Sequence, residues 1–251
     1  MTRPVPAATA SLRVLRFLAT QRGPTSASRI AAAARLPRSS TYALLRAMRS
    51  EGFVTHFPDD RRWGLGIAAF EVGAGYARSQ ALPRLARIPL VRLVDAVGHS
   101  AHLAVLHGRE VLYVLEERAP GRPPLVTDVG VRLPAQLTAS GRAILAALPA
   151  SQVRVLFPDR DAFVDRHGTG PQSLPALRRI LTDTRQRGYA TEDGEVTPGF
   201  ASVAAVVLAH GEQPVAAVAV TYESGQDVDP DRLSRHVQAT AADVSHRLGG
   251  G

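Results

Sequence analysis

Between Arg38 and Glu51 the side chains that can face a core recur at one helical spacing, with Thr41, Leu44, Leu45 and Met48 at i, i+3, i+4 and i+7. That spacing gives a helix a single buried stripe, and Gly52 directly after it suits a left-handed helix end. The flanking segments narrow what this helix can belong to. Upstream, Ser11 to Gln21 sets Leu12, Leu15 and Leu18 or Ala19 on one side, Arg13 and Arg16 on the other, and stops at Gly23-Pro24. Thr25 or Ser26 can then cap a short Ala-rich helix through Ala34, anchored by Ile30 and broken at Arg35-Leu36-Pro37. Downstream, Phe53 to Phe57 and Arg61 to Leu65 are β-like runs around the turn Pro58-Asp59-Asp60. The order is helix, helix, helix, hairpin. It follows a Pro- and Ala-rich stretch, residues 1–8, that reads as disordered.

Fixing the buried stripe of the third helix also fixes its outer face. Arg38, Tyr42, Arg46 and Arg49 align there at spacings of four and three, flanked by Ser39, Ser40 and Ala43. A helix that enters the major groove needs Arg and small polar side chains to reach base edges and phosphates. A hairpin carrying Arg61 and Arg62 can grip the neighbouring backbone or minor groove. Charged faces often serve only to keep a helix soluble. Here the charge sits on the very helix that the element order nominates, so a winged helix-turn-helix that binds double-stranded DNA is the expectation.

The charge is also concentrated. Residues 1–78 hold 12 Arg against Glu51, Asp59, Asp60 and Glu71, a net +8, whereas residues 79–251 hold 18 Arg against 18 acids and are neutral. A polyanion-binding head on a balanced body fits that split. The chain has no Lys and no Asn, which reads as codon bias and carries no functional weight.

Length and the 45% hydrophobic content favour two domains, expected at 1–80 and 81–251. A helical stretch from Ile67 to about Gln80 links them. Beyond it the sequence predicts a helix near Pro83 to Val97, strands His102–His107 and Glu110–Glu117, and a Pro/Gly-rich loop over 119–124. Helices Ser140–Leu148 and Leu174–Arg187 follow, then strands Ser202–Leu208 and Val215–Tyr222 and a helix from about Asp229 to Leu248. His107-Gly108-Arg109 and the 209–213 segment are hairpin signals. Paired hairpins among helices predict an α+β fold around an antiparallel sheet.

Several chemistries find no foothold. The absence of Cys excludes disulfides, thiolate metal sites and Cys nucleophiles, and points to the cytoplasm. Arg13 and Arg16 interrupt the first apolar stretch, so no signal-peptide core is expected, and no apolar run is long enough to span a membrane. No G-x-S-x-G elbow occurs, and Gly73-Ala-Gly75 lacks the third glycine of a dinucleotide loop. His99, His102 and His107 point to different faces, and Asp159, Asp161, Asp165 and His167 read as a solvated loop, so neither metal nor cofactor is expected.

The chain resembles the IclR family of bacterial regulators along nearly its whole length. In the head, the resemblance rests on Arg35-Leu-Pro-Arg-Ser-Ser-Thr-Tyr-Ala-Leu-Leu-Arg-Ala-Met, Glu51-Gly-Phe-Val and Arg62-Trp-Gly-Leu-Gly. In the body, it rests on Gly130-Val-Arg-Leu-Pro, Thr138-Ala-Ser-Gly-Arg-Ala-Ile-Leu-Ala, Arg187-Gly-Tyr-Ala-Thr-Glu-Asp-Gly-Glu and Gly199-Phe-Ala-Ser-Val-Ala-Ala-Val-Val. Each segment is weak alone, but their shared order across two domains is specific. Two departures stand out: Ala43 replaces a usual Arg, and the wing turn lacks its usual Gly, so the operator sequence does not follow from the family.

The resemblance implies a GAF- or profilin-like C-terminal domain that binds a small carboxylate or aromatic catabolite. The positions it implies are Gly141, Arg142 and Ala143 at a helix start, then Asp193, Ser202, Ala219 and Thr221. Free N–H groups and the dipole at a helix N-terminus favour a carboxylate. Ser140-Gly141 equally reads as an N-cap with tight helix packing, and the two roles are compatible. Ala219, where the family often has a second Ser, suggests a less polar pocket suited to an aromatic or larger organic acid. Asp193 would repel an acid unless it faced a hydroxyl or Arg142. The family also implies a homodimer paired through helix one and the 67–80 linker, and a tetramer through the bodies. The rival function is an enzyme acting on a small acid with an appended nucleic-acid-binding head.

Overall fold

The computed structural model describes residues 5–21, 23–79, 81–122, 125, 127–226 and 228–249, with side chains described outside 74–81. The chain divides into two compact units, Met1–Gln80 and Ala81–Gly251.

The first unit runs α1 (Pro6–Ala19), β1 (Thr25–Ser26), α2 (Ala27–Ala34), α3 (Arg38–Ser50), β2 (Val54–Phe57), β3 (Arg62–Leu65) and α4 (Ile67–Ser79). Helix α1 starts well inside the stretch expected to be disordered, because Pro6 in the first turn has no N–H to leave unpaired. Residues 1–4 lie outside the described residues. Its buried side is Ala10, Val14 and Leu18, and Leu12 is 61% exposed. The expected Leu stripe is therefore rotated: steps of three from Leu18 drift around the helix, whereas steps of four stay on one side. Ser26 caps α2, its Oγ accepting from Arg29 N at 3.4 Å. Thr41, Leu45 and Met48 are the buried face of α3, as the spacing predicts, and Leu44 is partly buried. Ile30, Val54 and Trp63 complete the small core with them.

The three-stranded sheet has order β1-β3-β2, all antiparallel, so β1 is a strand the sequence did not signal. Arg61 occupies the wing turn at φ +50°, the conformation that the absent Gly would have taken without strain. At the base of the wing Gly66 N donates to Phe53 O at 2.9 Å and Ala68 N to Gly52 O at 3.1 Å. A Cβ on Gly66 would lie 2.1 Å from the Gly52 carbonyl oxygen, so only glycine fits there.

The second unit comprises α5 (Ala81–Val97), β4 (Ser100–His107), β5 (Glu110–Glu117), β6 (Arg132–Pro134), α6 (Ala139–Ala147), α7 (Ala150–Leu156), α8 (Leu174–Arg187), β7 (Ala190–Asp193), β8 (Phe200–Ala209), β9 (Gln213–Glu223) and α9 (Pro230–Arg247). One antiparallel sheet of order β6-β5-β4-β9-β8-β7 carries helices on both faces. Towards α5 and α9 it presents Leu103, Val203, Val207, Val218 and Val220, which pack on Leu90, Leu93, Val237 and Val244. Towards α6 and α8 it presents Ala104, Ala204, Ala217 and Ala219, which let Ile144, Leu145, Leu177 and Leu181 pack close to the strands. Because both faces are covered, β8 and β9 read as nearly unbroken apolar runs. Strands β6 and β7 and helix α7 were not predicted; the two strands have three and four residues, too short for a period. Pro123 and Pro124 of the expected 119–124 loop, and Gln80 at the end of the linker helix, lie outside the described residues. Among the described residues no helix is long and apolar enough to cross a membrane.

Candidate functional site

Helix α3 turns Arg38, Ser39, Ser40, Tyr42, Ala43, Arg46 and Arg49 outward, while Thr41, Leu45 and Met48 anchor it from behind. Tyr42 is 49% exposed, a large apolar surface for a face otherwise cationic and small. On the wing, Trp63 points into the core and stacks on His56 with ring centroids 4.4 Å apart, so strand alternation puts Arg62 outside. Arg61 beside it is exposed as well. Among the described residues none of Arg38, Arg46, Arg49, Arg61 and Arg62 makes an ion pair. Exposed guanidinium groups without internal partners keep their donors for an external anion.

In the second unit a cavity of about 60 Å³ lies between the sheet and the start of α6. Its sheet wall is Tyr113, Glu192, Ser202, Ala219 and Thr221, its helix wall Thr138, Ala139 and Ser140, and Leu125, Thr127, Val196, Thr197 and Phe200 close it. Three of the seven expected effector positions, Ser202, Ala219 and Thr221, meet here. They do so because β7, β8 and β9 are in register: Glu192 opposes Ser202, and Ser202 opposes Thr221. Ser202 Oγ donates to Glu192 Oε1 at 2.8 Å and lies 3.0 Å from Thr221 Oγ1.

The other four expected positions are not brought to this cavity. Gly141 N donates to the Thr138 cap at 3.0 Å, and its Cα is pressed against the backbone of Ala135, so this glycine serves helix packing. The Arg142 guanidinium turns away to Glu195, Gln136 O and Thr191 O, at 2.7, 2.9 and 2.8 Å. Ala143 is buried in the hydrophobic core. Asp193 faces an open groove shared with Arg142, where its Oδ1 accepts from Ser224 Oγ at 2.6 Å. The acid that reaches the cavity is its neighbour Glu192. Side chains alternate along a strand, and Ala190, two residues earlier, is buried on the cavity side; that spacing was the available signal for Glu192. Tyr113 carried no such mark, and Ser140, read as the helix cap, lies inside the helix that Thr138 caps.

Burial, reinforced by Glu195, pushes the Glu192 carboxyl up to about 7, against the pull of Ser202 and Arg142. The proton on this acid is thus in play near neutrality. His102 is fully buried behind Tyr113 and Thr127, its Nε2 3.3 Å from Thr127 Oγ1, and desolvation lowers it to about 3, so the ring is neutral. Burial also raises the Tyr113 phenol, which stays protonated. Glu192 Oε2 on the cavity wall is buried with no hydrogen-bond partner among the described residues, and the buried Ser140 hydroxyl has only that of Tyr113 close enough to interact with it. Buried groups of that kind are costly unless something polar meets them.

Comparison with known proteins finds two family domains along the chain. Residues 7–57 match the IclR helix-turn-helix domain, and residues 74–246 match the bacterial transcriptional regulator IclR C-terminal domain. The glycerol operon regulatory protein of Streptomyces coelicolor is 32% identical over 221 residues, which cover 88% of this chain and 86% of that protein. Two solved structures share the fold at 24% identity. An IclR transcriptional regulator from Alicyclobacillus acidocaldarius superposes with a TM-score of 0.83, covering 99% of this chain and 100% of the other. An IclR homologue from Microbacterium hydrocarbonoxydans, solved with 4-hydroxybenzoate, superposes with a TM-score of 0.80, covering 98% and 100%. An enzyme with a nucleic-acid-binding head finds no support among these relatives. The chain belongs to the IclR family of bacterial transcription regulators, with a helix-turn-helix DNA-binding head and the family's regulatory C-terminal domain.

Proposed function

We propose that this cytoplasmic regulator grips its operator through Arg38, Ser39, Ser40, Tyr42, Ala43 and Arg46 of α3 and through Arg61 and Arg62 of the wing. A small organic acid in the α6 cavity modulates that grip. The observation that carries the reading is a set of exposed arginines, without ion-pair partners among the described residues, on the helix that a helix-turn-helix places in the major groove. An acid effector is supported by the first turn of α6 on the cavity wall, and by the relative solved with 4-hydroxybenzoate. Effector and operator each alter the other's affinity, because coupling between two sites is reciprocal.

Replacing Arg61 and Arg62 together with Ala is expected to weaken operator binding and to flatten its dependence on log salt by about one unit for each phosphate left without its cation. Fluorescence anisotropy across a salt series reads both quantities. An unchanged slope removes the wing from the interface.

The regulator acts as a homodimer paired through α1 and α4, with further assembly to a tetramer through the bodies. Leu12 on α1 and Ile67, Phe70 and Val72 on α4 are all exposed apolar side chains, Phe70 at 71%. Such surface in a DNA-binding head suits a two-fold contact that presents two recognition helices to two half-sites. Light scattering at micromolar concentration is expected to give at least twice the chain mass, and Phe70→Asp to lower it. A monomeric parent protein refutes the pairing.

A further inference from the structure

Thr41, Leu45 and Met48 turn α3 to the core, and at about 100° per residue the direction straight away from that core falls on Ala43 and Ser50, with Ser39 close to it. All three are exposed. Of the described residues on α3, only Arg46 sets a long side chain within about 50° of that direction. Tyr42, Arg49 and Arg38 lie about 90° or more away, on the same flank as Arg46, and the other flank holds Ser40 and Ala47. The surface that first meets a groove is therefore nearly flat, with its cations and the Tyr42 ring along one side.

These positions differ in what they can distinguish. In the major groove guanine offers two acceptors that a guanidinium meets together, and thymine offers its 5-methyl group. Ala43 has no side-chain donor or acceptor, so a polar base edge against it loses water and gains no partner, whereas a thymine methyl loses nothing. Ser39 can donate or accept and so tolerates any base edge. Ser50 Oγ donates to Ala47 O at 2.7 Å, which uses its hydrogen within the helix. Side chains on the flank point to the groove wall, where phosphates offer charge without sequence.

We infer that α3 draws its sequence specificity from two positions, a guanine met by the Arg46 guanidinium and a thymine whose 5-methyl group packs on Ala43, while Tyr42, Arg49 and Arg38 hold phosphates of one strand with no base preference. The inference rests on the reading of α3 as the operator-binding helix and adds which bases that helix tells apart. Ala43 and Arg46 are three residues apart, about 4.5 Å along the helix against about 3.4 Å per base step, so the two bases belong to neighbouring base pairs.

Duplexes that the full chain enriches from a randomised library supply the operator, and base analogues placed in one half-site then test the inference by fluorescence anisotropy. Uracil in place of thymine removes only the methyl group. At one thymine it is expected to weaken binding roughly fourfold, the loss of one buried methyl. At the neighbouring guanine 7-deazaguanine removes one of the two acceptors that Arg46 meets, and is expected to weaken binding roughly tenfold. Each effect is expected to vanish in its own variant, the uracil effect in Ala43→Gly and the deazaguanine effect in Arg46→Ala. Arg49→Ala is expected to keep both effects and to lower the salt slope by about one. Ala43→Arg is expected to exchange the thymine preference for guanine at that base pair. The thermal midpoint of each variant reports its folding, and the analogue series on the parent protein needs no variant. No uracil effect at any thymine, a uracil effect that survives Ala43→Gly, or a deazaguanine effect that survives Arg46→Ala overturns the inference while leaving α3 as the operator helix. Enrichment of no sequence, or operator affinity unchanged by both Arg46→Ala and Arg49→Ala, removes α3 from the operator and this inference with it.

Discussion

Alanine in place of Gly141 is expected to destabilise the C-terminal unit by at least about 3 kcal/mol, lowering its thermal midpoint by roughly 6 °C or more. The new Cβ would sit 2.2 Å from the carbonyl oxygen of Ala135, 2.4 Å from its Cα and 2.6 Å from its carbonyl carbon. These are backbone atoms, so no rotamer change relieves the clash. Neither partner can retreat. Ala135 N donates to Arg109 O at 2.9 Å and Leu137 N to Pro134 O at 3.1 Å, which ties that loop to the sheet edge. On the other side every residue of α6 from Ala139 to Ala146 is buried. Urea unfolding followed by circular dichroism measures the loss, and a midpoint like that of the parent protein would mean that the α6 seat is looser than its contacts imply. Removal of a ligand contact alone would leave the unliganded midpoint unchanged, so the same measurement separates a packing glycine from a binding one.

Glu195→Ala carries the second large effect, a loss of about 3–5 kcal/mol. Arg142 is 3% exposed, and among the described residues Glu195 is the carboxylate bonded directly to it, with Oε1 at 2.7 Å and Oε2 at 3.3 Å. Truncating the acid leaves a buried guanidinium facing only the carbonyls of Gln136 and Thr191, and also frees Asp193 N, which donates to Glu195 Oε2 at 3.0 Å. The double change Arg142→Met with Glu195→Leu is expected to recover much of the stability, because it removes both charges together and fills their volume. A double-mutant cycle in urea gives the interaction energy directly. If Glu195→Ala unfolds within about 1 kcal/mol of the parent protein, the pair is solvated in solution and Arg142 becomes available to a ligand.

The recognition helix was legible in the sequence because its stripe, Thr41, Leu45 and Met48, comes from one amphipathic period that neighbouring elements do not override. The α6 cavity was legible only in part. Ser202, Ala219 and Thr221 lie on long strands whose pairing brings them together, but the period-two choice between Glu192 and Asp193 depends on which face of a four-residue edge strand is covered. The sequence marks the Gly141 segment as a helix start, and the structure packs that glycine on Ala135. Motif and spacing mark a helix start, and they do not say whether a glycine there faces a ligand or the carbonyl of Ala135. Leu12 shows a similar limit: a run of leucines at spacing three looks like a stripe until Leu18 sets the origin and Val14 and Ala10 claim the core.

The unequal faces of the six-stranded sheet bear on how such a sensor can diversify. Val203, Val218 and Val220 lock one side of β8 and β9 against α5 and α9, and the alternate residues Ser202, Ala219 and Thr221 line the cavity on the other. Substitutions that reshape the cavity can therefore accumulate at the second set while the first keeps the strands in place. Change in the chemistry of the cavity wall and retention of the fold are assigned to opposite sides of the same backbone. A lineage of such proteins can change the lining of this cavity through exchanges at a few small side chains while the valine face keeps the strands packed.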